Sequence, residues 1–473
     1  MEEKSLGKSQ VAAIIFGPLL FALAVLLLPE SLFAFSARVA IGTVIWMGFW
    51  WITVPVSAAV TAFIPILVNA LFGILPMSGI ISDYFSEIVV LLLGADLLAI
   101  AWQVTGFDRR LSLKALCIIG PSATQQIIIW FVLPALLSTV LPNAVVCMVL
   151  TPIAFAMLQY VSHEGSPIRS IILLAIAWGA GVGGVGTPLG GAMNLIAVGS
   201  FEEITGREFA YLDWIVRLLP FMLLLILVGV LYLLLIKPKN VSLDGSKEYF
   251  RSLYQELPPM NRDELLSVVL FALAMLLAFI RPLFEQWLPG LKPAYIFLLF
   301  GMLTFVLPKQ NGAPLLTWEK AEKSIGWNLL FLIAGGLAVG GMISDSGAAQ
   351  VVAAQLAASN LTGGLGTILL FVAFTIMLAE IASNTAAAAI ALPVVISVTQ
   401  ELGLNPIPYI FITAAAFNCA YILPTSIRAI PVAYGLKPSF MGKNGVALTA
   451  LSILAISLFG WLLMRLIPAF GVI

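Results

Sequence analysis

The sequence predicts an all-helical, multi-pass membrane protein built from two copies of one unit, and three observations carry that prediction. The first is composition: 61% of the 473 residues are hydrophobic and 10% charged, with a mean hydropathy of +1.08, a balance no ordinary water-facing surface tolerates. The second is an internal offset. Shifting the chain by 241 positions lays Asn384 on Asn143, Pro393 on Pro152, Gly335 on Gly94 and Gly347 on Gly106 without a gap. The third is a polar interruption inside an apolar run in each copy, marked by an asparagine nine residues before a proline.

The elements follow in chain order. Val11 to Leu28 is free of charge over 18 residues and Leu218 to Ile236 over 19, each close to the roughly 20 needed to cross hydrocarbon as a helix. Further apolar blocks begin near Ala37, Ile88, Ala115, Ala144, Ile171, Leu265, Ala294, Ile325, Ile407 and Val446, so roughly ten to twelve crossings plus interrupted segments are expected. Met1 to Gln10 carries Glu2, Glu3, Lys4 and Lys8, and no small-residue cleavage site follows the first apolar run. That pattern reads as a retained first helix. The one long break in hydrophobicity, Lys237 to Glu264, divides the chain into a first repeat (1–236), a polar linker (237–264) and a second repeat (265–473). Its five Lys or Arg, with Arg109, Arg110 and Lys114, favour the cytoplasmic side for both segments.

Polar side chains at membrane depth need an internal partner or a ligand. The second-half cluster is Ser383-Asn384-Thr385, between the apolar stretches Ile368 to Leu378 and Ala387 to Val395; the first-half counterpart is Asn143. Each copy carries a second interruption further on, Gly179 to Asn194 and Asn418 to Pro431, whose glycines and prolines do not sustain a regular helix. Carbonyls freed by unwinding can coordinate a cation, and half-helix N-termini can receive a carboxylate. Close helix packing by small residues is the other reading of the glycine run. In transporters, paired repeats usually run in inverted topology and meet near the midplane.

Other function classes fit less well. With 23 basic and 23 acidic residues and no basic cluster, no nucleic-acid partner is indicated. Cys117, Cys147 and Cys419 lie in apolar runs without CxxC or metal spacing and read as buried thiols. No histidine or lysine stands as base beside a buried serine, and His-Glu-x-x-His is absent, so the chain is not read as an enzyme. His163, the only histidine, falls in the polar loop Ser162 to Pro167. An anion channel is a rival, disfavoured only weakly.

These residues resemble the divalent anion/sodium symporters, transporters of dicarboxylates, citrate or sulfate. Ser383-Asn384-Thr385, preceded by Glu380, is similar to the family's re-entrant hairpin tip. Gly183 to Gly190 with Asn194 resembles its first unwound segment, Asn418 to Pro424 the approach to its second, and Trp327 to Gly336 its helix before the second hairpin. The resemblance covers the chain from about Trp46. It implies a homodimeric elevator transporter in the cell membrane, with a re-entrant hairpin and an unwound helix in each of two inverted repeats. Substrate carboxylates would meet Asn143, Ser383, Asn384 and Thr385, with backbone near Gly190, Gly191 and Ser426. Sodium would be held by Ser138, Asn143 and carbonyls at Pro142 and Gly190, with Asn384 serving the second half. Dicarboxylates such as succinate, malate or 2-oxoglutarate are expected ahead of citrate and sulfate, by sodium symport or anion exchange.

Two departures stand out. The first tip reads Pro142-Asn143-Ala144, without the flanking hydroxyls, and Ile427-Arg428-Ala429-Ile430 replaces the family's Thr-Pro-Pro-Asn. Arg428 has three readings: a carboxylate ligand, a fixed charge in place of a sodium ion, or a structural partner of Glu380 or Asp96. Either of the first two would favour exchange, because a permanent charge makes the empty carrier costly to reorient.

Overall fold

Charge-free runs, helix-breaking prolines and paired glycines together dictate which segments cross and which stop short. The computed structural model describes residues 7–161, 166–238, 241–348, 351, 361–424 and 426–472; the loop with His163 lies outside them. Among the described residues seven helices are long and apolar enough to cross a membrane: Lys8–Leu27, Phe35–Thr53, Met77–Thr105, Asn143–Val161, Tyr211–Leu235, Trp327–Asp345 and Pro438–Leu466. Six shorter apolar helices lie between them, among them Ala123–Ser138, Pro167–Gly183, Leu365–Ile381 and Pro406–Ala416. The apolar blocks of the sequence are therefore present, but several are arms of hairpins or halves of broken helices.

The first hairpin consists of Ala123–Ser138 and Asn143–Val161, the second of Leu365–Ile381 and Asn384–Glu401. Asn143 and Asn384 each begin the returning arm, and Pro152 and Pro393 each lie inside it. The same offset is written in the backbone. Gly94 meets the backbone of Phe297 and Leu298, where an added methyl carbon would stand 2.5 Å away, and at Gly335 it would stand 2.6 Å from the Ala62 carbonyl oxygen. Such crossings admit only glycine without displacement.

Each copy then unwinds. In the first, Pro167–Gly183 ends, a short 3-10 turn covers Pro188–Gly190, and Ala192–Thr205 resumes. In the second, Pro406–Ala416 gives way to non-helical backbone, then a 3-10 turn at Ser426–Arg428 and the short helix Ala429–Ala433. The glycines of the first run divide into two tasks. Gly179 and Gly183 pack on the backbone of Phe131 and Ala135 in the first hairpin, whereas Gly184 faces Asn143 and Asn418 and Gly190 faces the carbonyls of Gly184 and Ser138. Close packing and unwinding are both present in one segment.

The stretch expected as a polar linker is structured. Ser246–Gln255 is a helix with Phe250 buried, and Phe250 meets the Trp130 ring at 5.9 Å. Gln126 Nε2 donates to Ser246 Oγ at 2.8 Å, and Arg110 pairs with Glu264 at 2.5 Å. Apolar residues spaced for one helix face seat it on the first hairpin and on Phe107–Leu116. Cys147 and Cys419 are buried, while Cys117 is half-buried with its thiol toward the Phe250 carbonyl at 3.6 Å.

Candidate functional site

Both hairpin tips and both unwound segments border one cavity of about 270 Å³. Pro142-Asn143-Ala144 and Ser383-Asn384-Thr385 come from the tips, Leu189 and Gly191 to Met193 from the first break, and Ser426 and Ile427 from the second. Asn328, Leu329 and Leu332 add the start of Trp327–Asp345. Among the described residues, no ionisable side chain is part of that wall. Instead, the first residues of three helices, Asn143, Ala192 and Asn384, border it. These are the ends where backbone N–H groups lack intrahelical partners and the helix dipole is positive.

The tips are held differently. Asn143 accepts from Ser138 Oγ at 2.7 Å, and its amide nitrogen points to Asn418 Oδ1 at 3.5 Å. Ser383 caps its helix by accepting from the Ala386 amide at 3.1 Å. Asn384 Oδ1 is buried with no hydrogen-bond partner among the described residues. Ser426 takes a left-handed φ of +53°, rare for a residue with a side chain; such a conformation costs on the order of 1–3 kcal/mol and persists where the surroundings impose it.

Beside the first tip is a cluster of neutral oxygens. A methyl carbon on Gly190 would meet the carbonyls of Gly184 at 2.7 Å and Ser138 at 3.0 Å. Asn194 donates to the Gly184 carbonyl at 2.6 Å and the Thr187 carbonyl at 2.8 Å, and its Oδ1 is buried without a partner. Thr187 donates to the Thr139 carbonyl and accepts from the Gly190 amide at 3.1 Å. Hydroxyl, amide and carbonyl oxygens are the donors a hard monovalent cation takes, and an orphaned Asn194 oxygen fits such a guest. The Pro142 carbonyl instead receives the Val145 and Val146 amides at 2.9 and 3.2 Å, as part of the helix start.

The citrate transporter family matches residues 48–416 and 293–471 of this sequence. The chain belongs to that family. Members of the citrate transporter family carry solutes across membranes, so the protein is a transporter, and the likeness extends over whole chains. The sodium-dependent dicarboxylate transporter SdcS of Staphylococcus saprophyticus is 27% identical over 491 aligned positions, spanning 100% of this chain and 94% of that one. SdcS of Staphylococcus aureus strain RF122 is 28% identical over 451 positions, spanning 92% and 86%. Among solved structures, the Alcanivorax borkumensis YdaH transporter has the same general fold at a TM-score of 0.53 and 16% identity, covering 81% of this chain and 85% of its own.

Within this citrate transporter family member one expected ligand stands elsewhere. Arg428, for which a carboxylate ligand was one of three readings, is 2% exposed and is not part of the cavity wall. Its Nε donates to the Leu423 carbonyl at 2.6 Å, one terminal nitrogen to the Ala420 carbonyl at 2.9 Å, and the other lies 3.8 Å from Glu380. Of the readings left open by the sequence, the structural pairing with Glu380 is the one realised. Asp96 is separate: it accepts from the Gly326 amide at 3.2 Å, capping Trp327–Asp345. Gly190 stands one step behind the wall that Gly191 forms. Asn328 belongs to the Trp327 to Gly336 stretch already noted but was not singled out as a ligand, and Ala58 and Leu92 also join the wall with no motif to mark them.

Proposed function

We propose that this chain is a secondary active transporter of small dicarboxylates, succinate, malate and 2-oxoglutarate ahead of citrate, coupled to sodium in the cell membrane. The observation that carries the reading is the meeting of Asn143 and Asn384, with three helix N-termini, on one cavity without ionisable side chains among its described lining residues. Asn143, Ser383, Asn384, Thr385 and Ser426 supply hydrogen bonds to carboxylate oxygens, and the backbone at Gly191 lets the anion approach closely.

Magnitudes favour a coupling cation. A helix N-terminus contributes roughly 0.3–1 kcal/mol toward an anion, and a hydrogen bond to a charged group roughly 1.5–3 kcal/mol. Removing each carboxylate from water costs several kcal/mol. A cation beside the anion adds about 4 kcal/mol at contact distance, set against the cost of desolvating the ion itself. The neutral oxygens of Ser138, Asn143, Asn194 and Gly190 suit that ion; Asn384, with its unpartnered oxygen, suits a second. Arg428 supplies no free charge here, since Glu380 offsets it, which favours symport over exchange.

The matched hairpins and breaks support two inverted repeats, 1–236 and 265–473 joined by 237–264. An elevator motion of the hairpins and broken helices against the remaining helices, in a homodimer, is the mechanism this arrangement suits. The test is labelled succinate uptake into proteoliposomes, empty or preloaded with dicarboxylate, with and without an inward sodium gradient. Sodium-driven uptake into empty vesicles is expected. Uptake only into loaded vesicles, indifferent to sodium, would establish exchange instead.

A further inference from the structure

The backbone from Ala420 to Leu423 has left the helix, so its amides and carbonyls need partners from elsewhere. Glu380, at the end of the first arm of the second hairpin, accepts from the Tyr421 amide, from Ile422 at 2.9 and 3.0 Å, and from Leu423 at 3.1 Å. Arg428 donates to the carbonyls of Leu423 and Ala420. One ionic pair therefore takes three amides and two carbonyls of a single unwound stretch, and both members are buried. Gly445, in Pro438–Leu466, backs the segment by packing on Tyr421, and Thr449 Oγ1 reaches Glu380 at 3.5 Å.

The bond from Arg428 back to Leu423 closes the turn that carries Ser426 to the cavity wall. Ser426 keeps a backbone conformation its side chain disfavours. We propose that Glu380 and Arg428 form a positioning pair, holding the unwound segment to the second hairpin and presenting Ser426 to the transported anion. The kinetic part rests on the transport reading; the positional part does not.

The experiment compares the full-length protein with Glu380→Gln, Arg428→Lys and the double variant Glu380→Gln/Arg428→Gln in lipid nanodiscs and proteoliposomes. Hydrogen exchange reads the amides of Tyr421 to Leu423, and succinate uptake reads half-saturation against maximal rate. In Glu380→Gln these amides are expected to exchange about tenfold faster, with Pro406–Ala416 unchanged. Half-saturation rises about tenfold while maximal rate changes less. The double variant, which leaves no lone buried charge, is expected to be no worse than Glu380→Gln.

Unchanged exchange across Tyr421 to Leu423, or faster exchange with an unaltered half-saturation, overturns the proposal. Should Glu380→Gln not fold, Arg428→Lys decides. Lysine keeps the charge but loses the fork that spans two carbonyls, so both readouts are expected to move, and no change in either defeats the idea. If the unaltered protein takes up no succinate, the transport reading fails and hydrogen exchange alone judges the pair.

Discussion

Gly106 and Gly347, 241 positions apart, hold the same left-handed backbone, with φ of +80° and +77°. Each follows the equivalent membrane helix, Glu87–Thr105 or Trp327–Asp345. Around Gly106 nothing lies within 4 Å of an added methyl, so only backbone preference is at stake. Gly106→Ala is expected to cost about 1 kcal/mol, and Gly106→Asn less, because asparagine tolerates this region. Thermal melting in detergent, both variants against the parent, checks the order.

Gly94 presents the opposite case. Its added methyl would stand 2.5 Å from the backbone of Phe297 and Leu298, and backbone cannot swing aside. Gly94→Ala is expected to lose roughly 1–3 kcal/mol, whereas Gly366→Ala, with nothing within 4 Å, loses none and gains up to about 1 kcal/mol. Equal melting of the two variants would show that the crossing at Gly94 yields freely.

In the proposed binding mode Asn143→Ala and Asn384→Ala each remove a hydrogen bond to a charged solute, and half-saturation for succinate is expected to rise roughly tenfold to hundredfold. Asn143→Ala also strips Ser138 of its acceptor, so this variant alone should shift the sodium concentration needed for half-maximal uptake. Near-normal uptake by folded Asn384→Ala would remove that tip from the binding site.

Cys117 is the thiol available for labelling. Burial raises its pKa above the ordinary thiol value, and the nearby Arg251 only partly offsets this. A raised pKa leaves less thiolate at neutral pH, so maleimide labelling of the native protein is expected to accelerate as pH rises past the usual thiol range. Cys147 and Cys419, fully buried, should label only after denaturation. Mass spectrometry of the modified peptides tells them apart.

What the sequence made legible was whatever depends on spacing. An asparagine within an apolar run, with a proline nine residues on, marks an interruption because neither residue suits a lipid-facing helix centre, and its repetition at one offset marks a repeat; that the interruption is a hairpin tip came from the family resemblance. Glycine runs were legible as interruptions, but not that Gly179 packs while Gly184 and Gly190 frame oxygens, since composition is alike in all. Direction was the hidden quantity. The type of Arg428 announces a charge at depth, but whether the guanidinium turns toward the cavity or back to Leu423 depends on the local path of the chain. The helix Ser246–Gln255 was obscured by interleaved charge, although Phe250, Leu253 and Tyr254 already trace one face.

A wall without titratable side chains has no pH response of its own. As the medium acidifies, no side chain among the described residues of the wall takes up a proton, whereas a dicarboxylate solute passes from dianion to monoanion. The acidity profile of uptake should therefore track the solute's second ionisation and shift from one dicarboxylate to the next, so that changing the cargo, rather than mutating the cavity wall, is what moves the optimum.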